Sequence, residues 1–102
     1  MSPLVDRRHL DFLLYDVFGV EALSAYPRYA PHNRETFDAA IDLAHQLALA
    51  EFLPHNRSSD LNEPKMVDGR VELIPEIGKA LKAFNDAGFC AALADLEHGG
   101  MQ

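Results

Sequence analysis

The run Asn33-Arg34-Glu35-Thr36-Phe37-Asp38-Ala39-Ala40-Ile41-Asp42-Leu43-Ala44-His45-Gln46-Leu47-Ala48-Leu49-Ala50-Glu51-Phe52-Leu53-Pro54 decides the fold class. Phe37, Ala40, Ile41, Ala44, Leu47 and Ala48 recur at three- and four-residue spacing, the period of one helix face. Leu43, Ala50 and Leu53 spill onto the next face, so more than half the circumference is apolar. Asn33 suits the N-cap, and Glu35 meets the positive end of the helix dipole. Pro54 predicts the stop, because the residue before a proline is pushed out of helical geometry. The expectation is a central helix whose alanines let neighbours approach closely.

Two shorter helices flank it. From about Asp6 to Phe18, the stripe Leu10, Leu13, Leu14 and Val17 predicts a first helix closed by Gly19. Phe12, Tyr15 and Phe18 widen that stripe beyond one contact face, so this helix is expected to dock on a partner. Residues 20–33 read as a linker. Ala22 to Tyr26 suggests one helical turn ended by Pro27, and Tyr29 and Pro31 suggest an extended connector. Downstream, periodicity is lost from Ser58 to Glu72, and Asp68-Gly69 between β-prone pieces marks a two-residue hairpin turn or an irregular loop. Pro75 fits the first position of a third helix. Ile77, Ala80, Leu81 and Phe84 would be buried, Lys79, Lys82, Asn85 and Asp86 would face water, and Gly88 would close it. Phe89 to Leu96 continues as an apolar turn or short helix. The fold class is therefore mostly α: a small helical bundle of three main helices, with a short hairpin or loop between helices 2 and 3.

At 102 residues, 48% hydrophobic and 25% charged, the chain has the balance of one globular domain. Its net charge of −7 and scattered Lys and Arg oppose nucleic-acid binding, which needs a clustered basic surface. No apolar segment is long enough for a signal sequence or a membrane span, so a cytoplasmic location is expected. One cysteine excludes an internal disulfide. Cys90 lies among apolar residues with no adjacent cation to activate it, which predicts a buried, inert thiol.

No complete catalytic constellation is present. Pro-His-Asn-Arg occurs at 31–34 and again at 54–57, but a helix of about twenty residues holds its ends roughly 30 Å apart. His32 and His55 therefore read as local turn residues and not as a metal pair. His9 and His45 lack a chelating partner one turn away, and Asp38 and Asp42 read as a solvated face. There is no glycine-rich phosphate loop and no nucleophile–base arrangement.

The ordered series Leu53-Pro54-x-Asn56-Arg57-Ser58-x-Asp60, Asp68-Gly69-x-Val71, Leu73-x-Pro75, Ala87-Gly88-Phe89 and Glu97-x-Gly99-Gly100 resembles the N-terminal helical domain of flavin-dependent acyl-CoA dehydrogenases. Phe12-Leu13-Leu14-Tyr15-Asp16-Val17 resembles the extra leading helix of one branch of that family. Phe89 stands where a tryptophan is usual, and Cys90 where a small residue or proline is usual; both changes are apolar. The resemblance implies a division into 1–32, leading helix and connector, and 33–102, helical domain. A middle β-domain and a C-terminal helical domain would follow beyond Gln102. It further implies α,β-dehydrogenation of an acyl-CoA thioester with FAD, an electron-transfer acceptor and a homo-oligomer, within fatty acid metabolism. Catalytic and flavin-binding residues would lie outside these 102 residues, no metal is implied, and the chain alone is expected to bind no FAD. Leu96, Glu97, His98, Gly99 and Gly100 would lie near the substrate. The rival expectations are a free-standing helical interaction or dimerisation module and a small histidine-bearing metal protein.

Overall fold

Asp6 accepts a hydrogen bond from the His9 backbone N–H on its side chain (3.3 Å), and that cap starts α1, Arg7–Asp11. The coil then widens into a π-helical turn, Phe12–Val17, in which the Phe18 N–H reaches Leu13 O, five residues back. Gly19, at φ 60°, ends it. The computed structural model describes Ser2 to Gln102, 65% of the chain is helical, and three helical runs accompany one two-stranded hairpin.

The connector is more ordered than an extended linker. Val20–Ala25 and Pro27–Tyr29 are 3₁₀ turns, and the His32 N–H bonds Tyr29 O. Pro27 opens the second of these turns, where its fixed φ is an advantage and its missing N–H removes no bond. At Asn33 the expected cap forms: the Thr36 N–H donates to Asn33 Oδ1 at 2.9 Å and starts α2, Arg34–Leu47.

Pro54 does not stop the second helix. A π-helical turn, Ala48–Phe52, runs into a 3₁₀ turn, Leu53–His55, and then into α3, Asn56–Leu61. The Leu53 N–H takes Ala48 O, and the Asn56 N–H takes Leu53 O. Changing the hydrogen-bond step from five residues to three places Pro54 where no helical N–H is needed. Residues 58–61, expected to be irregular, are helical for that reason.

Strands β1, Lys65–Val67, and β2, Arg70–Glu72, pair antiparallel with Val67 opposite Arg70. The joining Asp68 and Gly69 have φ of 51° and 76°, the two left-handed positions that a twist-matched two-residue turn demands. Helix α4, Pro75–Asp86, opens on its proline as expected, and Gly88 at φ 88° closes it.

The chain forms two compact units, residues 2–45 with Gln102 and residues 46–101. Tyr15 and Ala80 alone are buried among the described residues, at 8% and 1% exposure. No residue of α2 is buried, so it is not the central helix its alanines suggested. In the second unit α4 packs on the 48–52 turn, and Phe84 stacks on Phe89 at 5.5 Å between ring centroids. Val17, Leu81 and Cys90 were expected inside but are exposed. Their stripes are apolar, yet among the described residues no element covers them. Among the described residues no helix is long and apolar enough to cross a membrane.

Candidate functional site

The turn that ends the second unit holds all five expected substrate-proximal residues. Leu96–His98 is a 3₁₀ turn entered from an extended Asp95, and Gly99 at φ 83° reverses the chain. The Gly100 N–H then donates to Asp95 O (3.0 Å) and the Met101 N–H to Ala92 O (3.1 Å). A Cβ on Gly100 would run into the Ala94 backbone, so glycine is required there by close contact. The pair Gly99-Gly100 thus has a local structural use: one residue turns the chain and the other lets it lie against its own loop. Gly100→Ala should strip protection from the Met101 amide, with hydrogen exchange at least about tenfold faster, the equivalent of roughly 1.4 kcal/mol. An unchanged exchange rate there would contradict this packing.

Leu96, Glu97, His98 and Gly99 are exposed. His98 Nε2 lies 3.8 Å from Glu97 Oε1, and Asp95, Glu97 and His98 each bring a ligand atom within 4.8 Å of the others. The Asp-x-Glu-His spacing on one turn was the available signal for this cluster. A metal centre needs three or four donors closing to about 2.0–2.2 Å; here Asp95 is half-buried, and Glu97 and His98 are exposed and set against each other.

Two clefts lie in the second unit. One, of about 290 Å³, is lined by Glu51, His55, Ser58, Glu76 and Lys79, with Lys79 Nζ 3.9 Å from Glu51 Oε2. The other, of about 270 Å³, opens beside Glu63, Lys65 and Glu72. Neither fits FAD. Both are smaller than the roughly 300–1,000 Å³ of a drug-sized ligand site, and each presents two carboxylates that would repel a pyrophosphate. No redox step is therefore assigned to these residues.

The strongest polar cluster belongs to the first unit, where Asp38 and Asp42 are far from simply solvated. Arg7 donates from Nε to Asp11 (2.8 Å), from Nη2 to Asp38 (3.4 Å) and from Nη1 to Asp42. The Tyr15 hydroxyl donates to the same Asp38 oxygen at 2.5 Å. The Arg34 guanidinium sits 4.0 Å from the Tyr15 ring centroid and bonds Glu21 at 3.2 Å. Burial first, and then the bond to Asp38, push the Tyr15 phenol up to about 12. The hydrogen bonds to Asp11 and Asp42 raise the pKa of Arg7 still further. This network joins the first helix to α2, and its bonds run among the chain's own side chains.

Three further histidines have neighbours within the chain. His32 Nδ1 lies 3.2 Å from Thr36 Oγ1 and its ring stacks on Phe37, His55 lies beside Phe52, and His45 Nε2 is 2.7 Å from Ser2 Oγ. Comparison with family models, with curated proteins and with solved structures finds no match.

Proposed function

We propose that this chain is the N-terminal helical part of an FAD-dependent acyl-CoA dehydrogenase, an oxidoreductase of fatty acid metabolism acting as a homo-oligomer in the cytoplasm. Its helices wall the acyl pocket on one side and brace the domains that hold flavin and base. The ordered motifs from Leu53 to Gly100 motivate the reading. The observation that carries it is the exposure of large apolar side chains around the last turn. Leu93 is 91% exposed and Leu96 50%, with Leu53 and Leu81 also open on the helices of the same unit. Covering one such leucine contributes about 1.5–3 kcal/mol, and exposed apolar patches mark ligand or protein contacts. Leu96, Gly99 and Gly100 are assigned to the acyl side, with Glu97 and His98 at its rim. The exposure of Phe12 and Phe18 on the leading helix favours a second reading, a helical interaction module without catalysis.

The test compares the 102-residue chain with the product translated through and past Gln102. The chain alone should be colourless and leave acyl-CoA unchanged. The extended product should show a flavin spectrum and form 2,3-enoyl-CoA when given an electron acceptor. A flavin spectrum from the short chain, or an extended product without flavin, would overturn the reading.

A further inference from the structure

The first helix carries two stripes at four-residue spacing, offset by a single residue. Arg7, Asp11 and Tyr15 make the inward stripe, tied together and to α2 by the Arg7 bonds and by the Tyr15–Asp38 bond. Arg8, Phe12 and Asp16 make the outward one. All three are exposed, Phe12 at 51%. Neither Arg8 nor Asp16 has an ion-pair partner among the described residues. Val17 and Phe18, which follow the stripe in sequence, are 53% and 71% exposed, and Leu4 and Val5, which precede it, are exposed as well.

The outward stripe is its own complement. Opposite charges sit at equal sequence distance on either side of one aromatic ring. A two-fold axis through Phe12 lays Arg8 of one copy on Asp16 of a second, Asp16 on Arg8, and Phe12 on Phe12. Such isologous contacts, in which residue i meets j and j meets i, are the rule for symmetric dimers. A parallel pairing in register would bring like charges together and is disfavoured. We propose that residues 4–18 form a homodimer interface in which the first helices of two copies pack antiparallel about Phe12. This pairing does not rest on the dehydrogenase reading.

The test is sedimentation equilibrium of the 102-residue chain across the micromolar range. The wild type should dimerise. R8D places an acid at both ends of the stripe and D16R a base at both ends. Each alone should weaken dimerisation by at least about tenfold through like-charge repulsion. An equimolar mixture of R8D and D16R should dimerise again, because each copy then offers the charges the other lacks. Both substitutions suit the helix dipole, an acid near the N-terminus and a base near the C-terminus, so circular dichroism should match the wild type. A monomeric wild type, single variants that dimerise as the wild type does, or a mixture that stays monomeric would each overturn the proposal.

Discussion

Asp38→Ala should lower stability by about 2–3 kcal/mol, measured as a shift in the urea midpoint near neutral pH. The carboxylate accepts the Tyr15 hydroxyl at 2.5 Å, and Tyr15 is 8% exposed. Alanine leaves a buried phenol without an acceptor, and a stranded buried donor costs about 1–3 kcal/mol. A hydrogen bond to a charged acceptor belongs at the upper end of that range. Arg7 is not stranded, since it keeps Asp11 and Asp42. Asp42→Ala should consequently cost only about 0.5 kcal/mol, the scale of a surface ion pair, because its side chain is 60% exposed. Asp38→Asn keeps an acceptor and should fall between the two. Tyr15→Phe combined with Asp38→Ala should cost less than the two single changes added, with a coupling of about 1–2 kcal/mol. Equal losses from Asp38→Ala and Asp42→Ala would show that the phenol bond contributes nothing.

That aspartate also shows where a sequence stops being legible. Asn33, Asp68-Gly69, Pro75 and Gly88 were readable because each answers a demand of its own backbone: a cap, two left-handed residues, a free first position, a left-handed end. Asp38 and Asp42 lie on one helix face, and nothing in their neighbours distinguishes a solvated acid from a bonded one. Their partners, Arg7 and Tyr15, are 35 to 23 positions away along the chain. The inward face of the first helix was hidden as well. Arg7, Asp11 and Tyr15 share it at ordinary four-residue spacing but are mostly polar, while Val17, predicted from the apolar stripe, turns out to water. Pro54 misled for a related reason, because a change of hydrogen-bond step lets a helix run past a proline. At the candidate site, Gly99 announced a turn, but the need for glycine at 100 comes from Ala94, whose approach exists only in the folded loop. Amphipathic patterning identifies apolar faces but does not say which of their residues the fold covers, and Leu81 and Leu93 are both exposed.

Alkaline pH should act on the same Tyr15–Asp38 pair with a sign that can be worked out. The phenol titrates near 10 in the unfolded chain and is pushed up to about 12 in the fold, by burial first and then by the bond to the Asp38 carboxylate. A raised pKa on a group that is neutral when protonated means that folding holds the proton. Stability from the pair is therefore fully present below about pH 10 and lost as pH rises through about 12. Each pH unit in that window removes about 1.4 kcal/mol, so roughly 2–3 kcal/mol is lost across it. The wild type alone cannot isolate the phenol from the rest of the chain. The difference between wild type and Tyr15→Phe isolates the phenol, because every other group is common to both. Urea unfolding at several pH values from about 9 to about 12 should show the wild-type advantage shrinking steadily as the pH climbs. Asp38→Asn should shrink the pH effect, since the neutral amide removes the charge that opposes phenolate formation while burial still does. Parallel stability curves for wild type and Tyr15→Phe over this window would mean that Tyr15 gives up its proton as readily in the fold as in the open chain, and the buried pair would then not be what holds the first helix to α2.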